Sequence, residues 1–107
     1  MGLHTITKAT QNRDISFSIT FKSKVIFVHE LGVLCQVVKK VTKVAEENKI
    51  ALIKHITLEV GTESSFVPVF LEKLYPVATD EMELFKNSEL RLSMVPGRNL
   101  VIKEIGY

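Results

Sequence analysis

A chain of 107 residues, 46% hydrophobic and 24% charged, is long enough to bury one modest core and short enough to be a single domain. Its net charge of +2 is not gathered with aromatics on one element, which argues against nucleic-acid binding, and no apolar run approaches membrane-spanning length. A single cysteine, Cys35, excludes an internal disulfide, and the N-terminus lacks the apolar core and cleavage site of a signal peptide, so a cytoplasmic location is expected.

In chain order, a head comes first. Residues 1–27 carry Lys8, Arg13, Lys22 and Lys24 against one acid, Asp14, which leaves the rest of the chain slightly acidic. Residues 1–14 have no period and read as a loose arm. Between Ile15 and Phe21 the pattern alternates: Ile15, Phe17, Ile19 and Phe21 against Ser16, Ser18 and Thr20. Alternation of this kind predicts a half-buried strand. A second reading stands beside it, because Phe, Ile, Ser, Lys and Asn are also what an AT-rich noncoding stretch yields when translated.

The body begins at residue 28. From Glu30 to Asn48, Leu31, Leu34, Val37, Val38, Val41, Val44 and Ala45 recur in steps of three and four and form one helical stripe. Lys39, Lys40, Lys43, Glu46 and Glu47 fall largely off it. Asn48 is the expected left-handed terminator. Leu52 to Val60 then alternates as a strand, with Ile56, Leu58 and Val60 on one side and His55, Thr57 and Glu59 on the other; Gly61 ends it. Ser64, Ser65 and Pro68 mark a second helix start. Val69, Phe70, Leu74 and Val77 are expected to be its buried face, and Pro76 to kink it or end it near Tyr75. A helical turn is expected around Glu81 to Phe85. Leu90, Leu92 and Met94 start a strand, Pro96-Gly97 signals a turn, and Leu100 to Ile105 reads as the return strand. The fold class is therefore α/β (α+β): two helices on one face of a three-stranded sheet in the order αβαββ, with an N-terminal extension able to add a strand.

Five segments of the body, taken together, resemble the HypA/HybF family of hydrogenase nickel-insertion accessory proteins. They are His29-Glu30-Leu31-Gly32; Leu58-Glu59-Val60-Gly61; Ser64 with Pro68; Glu89-Leu90 with Val95-Pro96-Gly97; and Gly97-Arg98-Asn99-Leu100-Val101-Ile102-Lys103-Glu104-Ile105. The resemblance runs from about Val28 to the C-terminus. It implies a domain at 28–107 behind an extension at 1–27, and a cytosolic nickel metallochaperone. Such a protein works with a nickel-handling GTPase to load the large subunit of [NiFe]-hydrogenase, and in some bacteria urease. It is not an enzyme.

Two departures from the family pattern matter. The family begins Met-His-Glu and binds Ni(II) through the terminal amine, the histidine imidazole and backbone amides. Here Val28 stands where that methionine would be. Square-planar Ni(II) favours nitrogen donors in one plane, and consecutive amine, amide and imidazole nitrogens give fused chelate rings only at a chain start. Valine can be encoded by GTG, which also serves as a start codon. Translation from 28 would restore Met-His-Glu, making residues 1–27 an over-extended reading. On this basis the metal site is expected at Val28, His29 and Glu30. The second departure is the family's zinc lobe, held by paired Cys-x-x-Cys segments between its last two strands. This chain has one cysteine and no such pair, so zinc is not expected.

Other candidates carry less. Six residues separate Cys35 from His29, about 240° round a helix at 3.6 residues per turn, so the two do not converge. A helical cysteine beside Leu34 reads as a small core residue. His55 reads as an exposed surface histidine, and Glu59 as a partner contact at most. If Met1 is removed, Gly2-Leu3-His4 offers an amine with histidine third, a chelate for Cu(II) or Ni(II). No nucleophile motif, phosphate-binding loop or His-Glu-x-x-His appears. The alternative to nickel delivery is a metal-free interaction module that docks on a maturation GTPase or hydrogenase subunit.

Overall fold

The computed structural model describes residues 8–9, 14–22 and 30–107. Its elements are β1 (Lys8–Ala9), β2 (Asp14–Lys22), α1 (Glu30–Glu47), β3 (His55–Gly61), α2 (Pro68–Ala78), a 3-10 turn (Glu83–Phe85), β4 (Glu89–Val95) and β5 (Asn99–Gly106). The sheet order is β1-β2-β5-β3-β4. Two helices packed with the mixed sheet β5-β3-β4 give the expected α+β body. The head adds β2, antiparallel to β5 with Ile15 opposite Ile105 and Phe21 opposite Leu100, and β1 beyond it.

One topological expectation fails. β4 and β5 are not adjacent: β3 lies between them, parallel to β4 and antiparallel to β5. The Pro96-Gly97 segment is therefore no hairpin turn but a bridge across the end of β3. Gly97 takes φ +112°, a region that favours glycine. Its carbonyl accepts from the Glu63 N–H at 2.8 Å, and the Val95 carbonyl accepts from the Thr62 N–H at 2.8 Å. A Cβ at Gly61 would strike the Gly97 carbonyl, so β3 must end in glycine for the bridge to pass. The β3–α2–β4 crossover explains the order, since a parallel neighbour needs a long connection and α2 supplies it.

The core lies between the helices and one sheet face. Ile56, Leu58 and Val60 of β3 and Leu100, Ile102 and Ile105 of β5 are fully buried. α1 meets them with Val33, Leu34, Val37, Val38, Val41, Val44 and Ala45, close to the stripe read from its period. Its C-terminus differs from expectation. Lys49, not Asn48, adopts the left-handed conformation (φ 55°), and the Ile50 N–H reaches back to the Ala45 carbonyl at 2.8 Å. Asn48 instead donates its side-chain Nδ2 to the Val44 carbonyl at 2.8 Å.

α2 corrects the sequence reading more strongly. Its buried residues are Leu71 and Tyr75, while Val69, Phe70 and Val77 are exposed and Leu74 is half-buried. Pro76 does not stop it, for the helix runs on to Ala78. Proline removes one N–H from the ladder, and Thr79 closes the end by donating both its N–H and its hydroxyl to the Tyr75 carbonyl, at 3.1 and 2.9 Å.

Candidate metal site

Of the expected ligands, Glu30 falls at the start of α1. Val28 and His29 lie outside the described residues. Glu30 is the first residue of α1, where a backbone N–H has no partner four residues earlier within the helix. The helix start thus offers the kind of backbone amide that a nitrogen chelate requires.

The Glu30 side chain is committed elsewhere. Its Oε2 accepts the Val67 N–H at 2.9 Å, across 37 residues of sequence. Val67 is the N-cap of α2, has an extended backbone (φ −98°, ψ 115°), and gives α2 no side-chain cap of its own. The carboxylate of α1 therefore stands at the positive end of α2, where a negative charge is favourable. Pro68 follows at the first helical position. Ser64 tightens the approach to α2: its Oγ donates to the Gly61 carbonyl at 2.7 Å. One end of the fold thus gathers the start of α1, the start of α2, the end of β3 and the Gly97 bridge. No local pattern in the sequence announces the Glu30–Val67 contact, because its halves are far apart and valine is a poor cap.

The remaining candidates do not join this end. Cys35 is exposed on α1, not part of the core. The apolar stripe of α1 passes through Leu34 and Val38 and leaves position 35 on the outer side. His55, at the other end of β3, is not a free surface histidine. Its side chain is 13% exposed, and its Nε2 lies 3.3 Å from Glu104 Oε1. The ring folds over Gly106 of the neighbouring strand, where any Cβ would collide with it. Glu59 is half-buried on the same open face of the sheet. Among the described residues no three His, Cys, Asp or Glu side chains stand close enough to hold a metal ion.

A shallow cavity of about 380 Å³ lies at the C-terminal end of α2, away from Glu30, lined by Tyr75, Asp80, Glu83, Lys86 and Ser88 among others. At its base Tyr75 Oη and Ser88 Oγ share a hydrogen bond of 2.8 Å. Burial raises the Tyr75 pKa above its ordinary 10.0, and the bond from Ser88 partly offsets this. The phenol stays neutral and ties α2 to Ser88, the residue just before β4. Among the described residues no helix is long and apolar enough to cross a membrane.

Comparison with known proteins fits this architecture. The family described as "Hydrogenase/urease nickel incorporation, metallochaperone, hypA" matches residues 28–100. A hydrogenase maturation factor HypA from Methanosarcina barkeri is 32% identical over 69 residues, covering 64% of this chain and 51% of that protein. The chain thus spans about half the length of this curated relative. The solution structure of the Ni metallochaperone HypA from Helicobacter pylori superposes with a TM-score of 0.59 at 15% identity, covering 71% of this chain and 70% of that one. At that identity the likeness establishes the shared fold. With most of the chain matched by the family, and the match beginning at the residue before His29, this protein belongs to the HypA family of nickel metallochaperones, which are not enzymes.

Proposed function

We propose that this protein delivers Ni(II) for [NiFe]-hydrogenase maturation and carries the ion at Val28-His29-Glu30, in a chain whose translation begins at 28. The observation that supports this best is the placement of Glu30. It opens α1 with its carboxylate already held by the Val67 N–H. That leaves its backbone amide, rather than its side chain, as the donor it would offer to nickel. With methionine at 28, the amine, the His29 imidazole and the intervening amides supply nitrogens to a square-planar ion. Nickel is cargo here: bound, carried and released. The partners are a nickel-handling GTPase and the hydrogenase large subunit, with urease a further target in some bacteria. The lack of a second cysteine supports a form that works without the zinc lobe.

The test has two parts. Intact mass of the protein from its native source fixes the start. Calorimetry and visible absorption then follow Ni(II) titration of that form. The expected result is one Ni(II) per chain with a planar-nickel spectrum, abolished by His29→Ala. Undiminished affinity in His29→Ala would sink this reading.

A second reading has an observation of its own. β2 lies along β5 for most of its length, which would place Val28 mid-chain and block the amine. The protein would then be a metal-free module that docks on the GTPase or hydrogenase subunit. Gly2-Leu3-His4 would be its best intrinsic chelate once Met1 is removed. A native mass matching the full 107 residues, with partner capture by nickel-free protein, would favour it.

A further inference from the structure

One row of residues crosses three strands at the end of β3 away from Glu30. Register sets Asp14 of β2 opposite Gly106 of β5, and Gly106 opposite His55 of β3. Residues opposed in a ladder share a face of the sheet. Asp14 and His55 therefore flank a position that has no side chain.

The His55 ring occupies that gap. Its Cε1, Nδ1 and Nε2 all lie where a Cβ on Gly106 would stand, so glycine is what lets the ring fold from β3 over β5. Its Nε2 lies 3.3 Å from Glu104 Oε1. The next strand is about 5 Å further on, and Asp14 is the one acidic residue of β2. The other charged groups around the ring are engaged or stand apart. Glu89 is opposite His55 on β4 and pairs with Arg91 at 3.5 Å. Lys54 and Lys103, chain neighbours of His55 and Glu104, are both exposed. Tyr107 packs against the core. Opposite Glu104 on β2 stands the uncharged Ser16, and beyond it Lys8 of β1.

This stretch of the head needs a hold of its own. A register shift between Ser16 and Ile19 separates Asp14–Ser16 from Ile19–Lys22. A short ladder at the start of an outlying strand opens at little cost unless something else fastens it.

We propose that His55 is a proton-dependent clasp for the head strand: when protonated it donates Nε2–H to Glu104 and Nδ1–H to Asp14, and so holds β2 on β5. A neutral imidazole carries one N–H and can donate to only one of the two carboxylates. Protonation supplies the second donor and sets a positive charge between two negative ones. Docking of Asp14–Ser16 thus takes up a proton. It strengthens as pH falls through the range in which imidazoles titrate, about 8 to 5, and weakens as pH rises. The clasp belongs to the 107-residue chain and stands or falls independently of the nickel site.

Hydrogen exchange of the full chain, read as protection relative to the intrinsic rate at each pH, tests this. Protection of Asp14–Ser16 is expected to be about fivefold higher at about pH 6 than at about pH 8, the size of one partly exposed charged pair. Ile19–Lys22 should change far less. Asp14→Asn and His55→Gln should each flatten the difference, and combining them should add nothing further. Should His55→Gln also loosen α1, Asp14→Asn decides alone, since it leaves the body unaltered. Equal protection at both pH values overturns the proposal. So does a pH difference that survives Asp14→Asn, or an equal change over Ile19–Lys22, which would place the effect in the strand as a whole.

Discussion

α1 and α2 are both helices with apolar faces, yet they are held in opposite ways. α1 is held along its length, by buried side chains from Val33 to Ala45. α2 buries Leu71 and Tyr75 and is otherwise fixed near its ends. At its start the Val67 N–H is taken by Glu30, and near its end Tyr75 is tied to Ser88. A helix held by a continuous apolar stripe cannot leave without unfolding the core. A helix held by a few polar contacts at its ends can open at much lower cost. Glu30, the one described residue of the proposed metal site, lies where the two meet, at the start of both.

Substitutions can break or sharpen this contrast. The largest effect is expected from Leu34→Ala, which empties a fully buried position and should cost about 3 kcal/mol in urea denaturation. Phe70→Ala on the exposed side of α2 should cost no more than about 0.5 kcal/mol. Equal losses would mean that α2 is core after all. Next comes Gly61→Ala. Its Cβ would meet the Gly97 carbonyl, a backbone group that cannot swing aside, so about 1–3 kcal/mol should be lost. A neutral result would show that the bridge does not press on the end of β3.

Tyr75→Phe deletes one tether and should cost about 1 kcal/mol. It also changes the alkaline limb of stability. Because the folded pKa of Tyr75 is raised, its contribution is fully present below 10.0 and is lost as pH rises through the folded value. Stability of the unaltered protein should therefore fall over that range, and the fall should be shallower in Tyr75→Phe. Parallel curves would show that the phenol is not shielded from water.

The smallest effect is expected from the other tether. Glu30→Ala leaves the Val67 N–H to water at a partly exposed site, a loss of about 0.5 kcal/mol. Its signature is local: faster amide exchange at the start of α2 with α1 unchanged. Glu30→Gln keeps an acceptor oxygen and should restore most of the protection. If neither variant alters exchange there, the contact does not govern α2.

Much of the body was legible because its patterns were unambiguous. In α1 charged residues flank the apolar stripe, so one face alone could be buried. In β3 the alternation of Ile56, Leu58 and Val60 with His55, Thr57 and Glu59 fixed the inward side. α2 has apolar residues around most of its circumference. The stripe Val69, Phe70, Leu74, Val77 competes with Leu71, Leu74, Tyr75, Ala78, and each is a legitimate helical face. Packing against α1 and β4 chose the second. His55 shows the same limit: its place on the polar side of the strand was readable, but its shelter depends on Gly106, a neighbour fixed only by register. At the candidate site the His29-Glu30 pair was visible, and the attachment of Glu30 to Val67 was not.

The sequence by itself determined the elements of the body, the inward faces of α1 and β3, and the family, because periodicity and short motifs are local and survive without coordinates; β1 at Lys8–Ala9, in a stretch read as a loose arm, it did not announce. The tertiary structure decided which face of α2 is buried, that β3 lies between β4 and β5, and where the Glu30 carboxylate goes. Each of these is a contact between segments distant in the chain, set by how the pieces pack rather than by what each piece prefers.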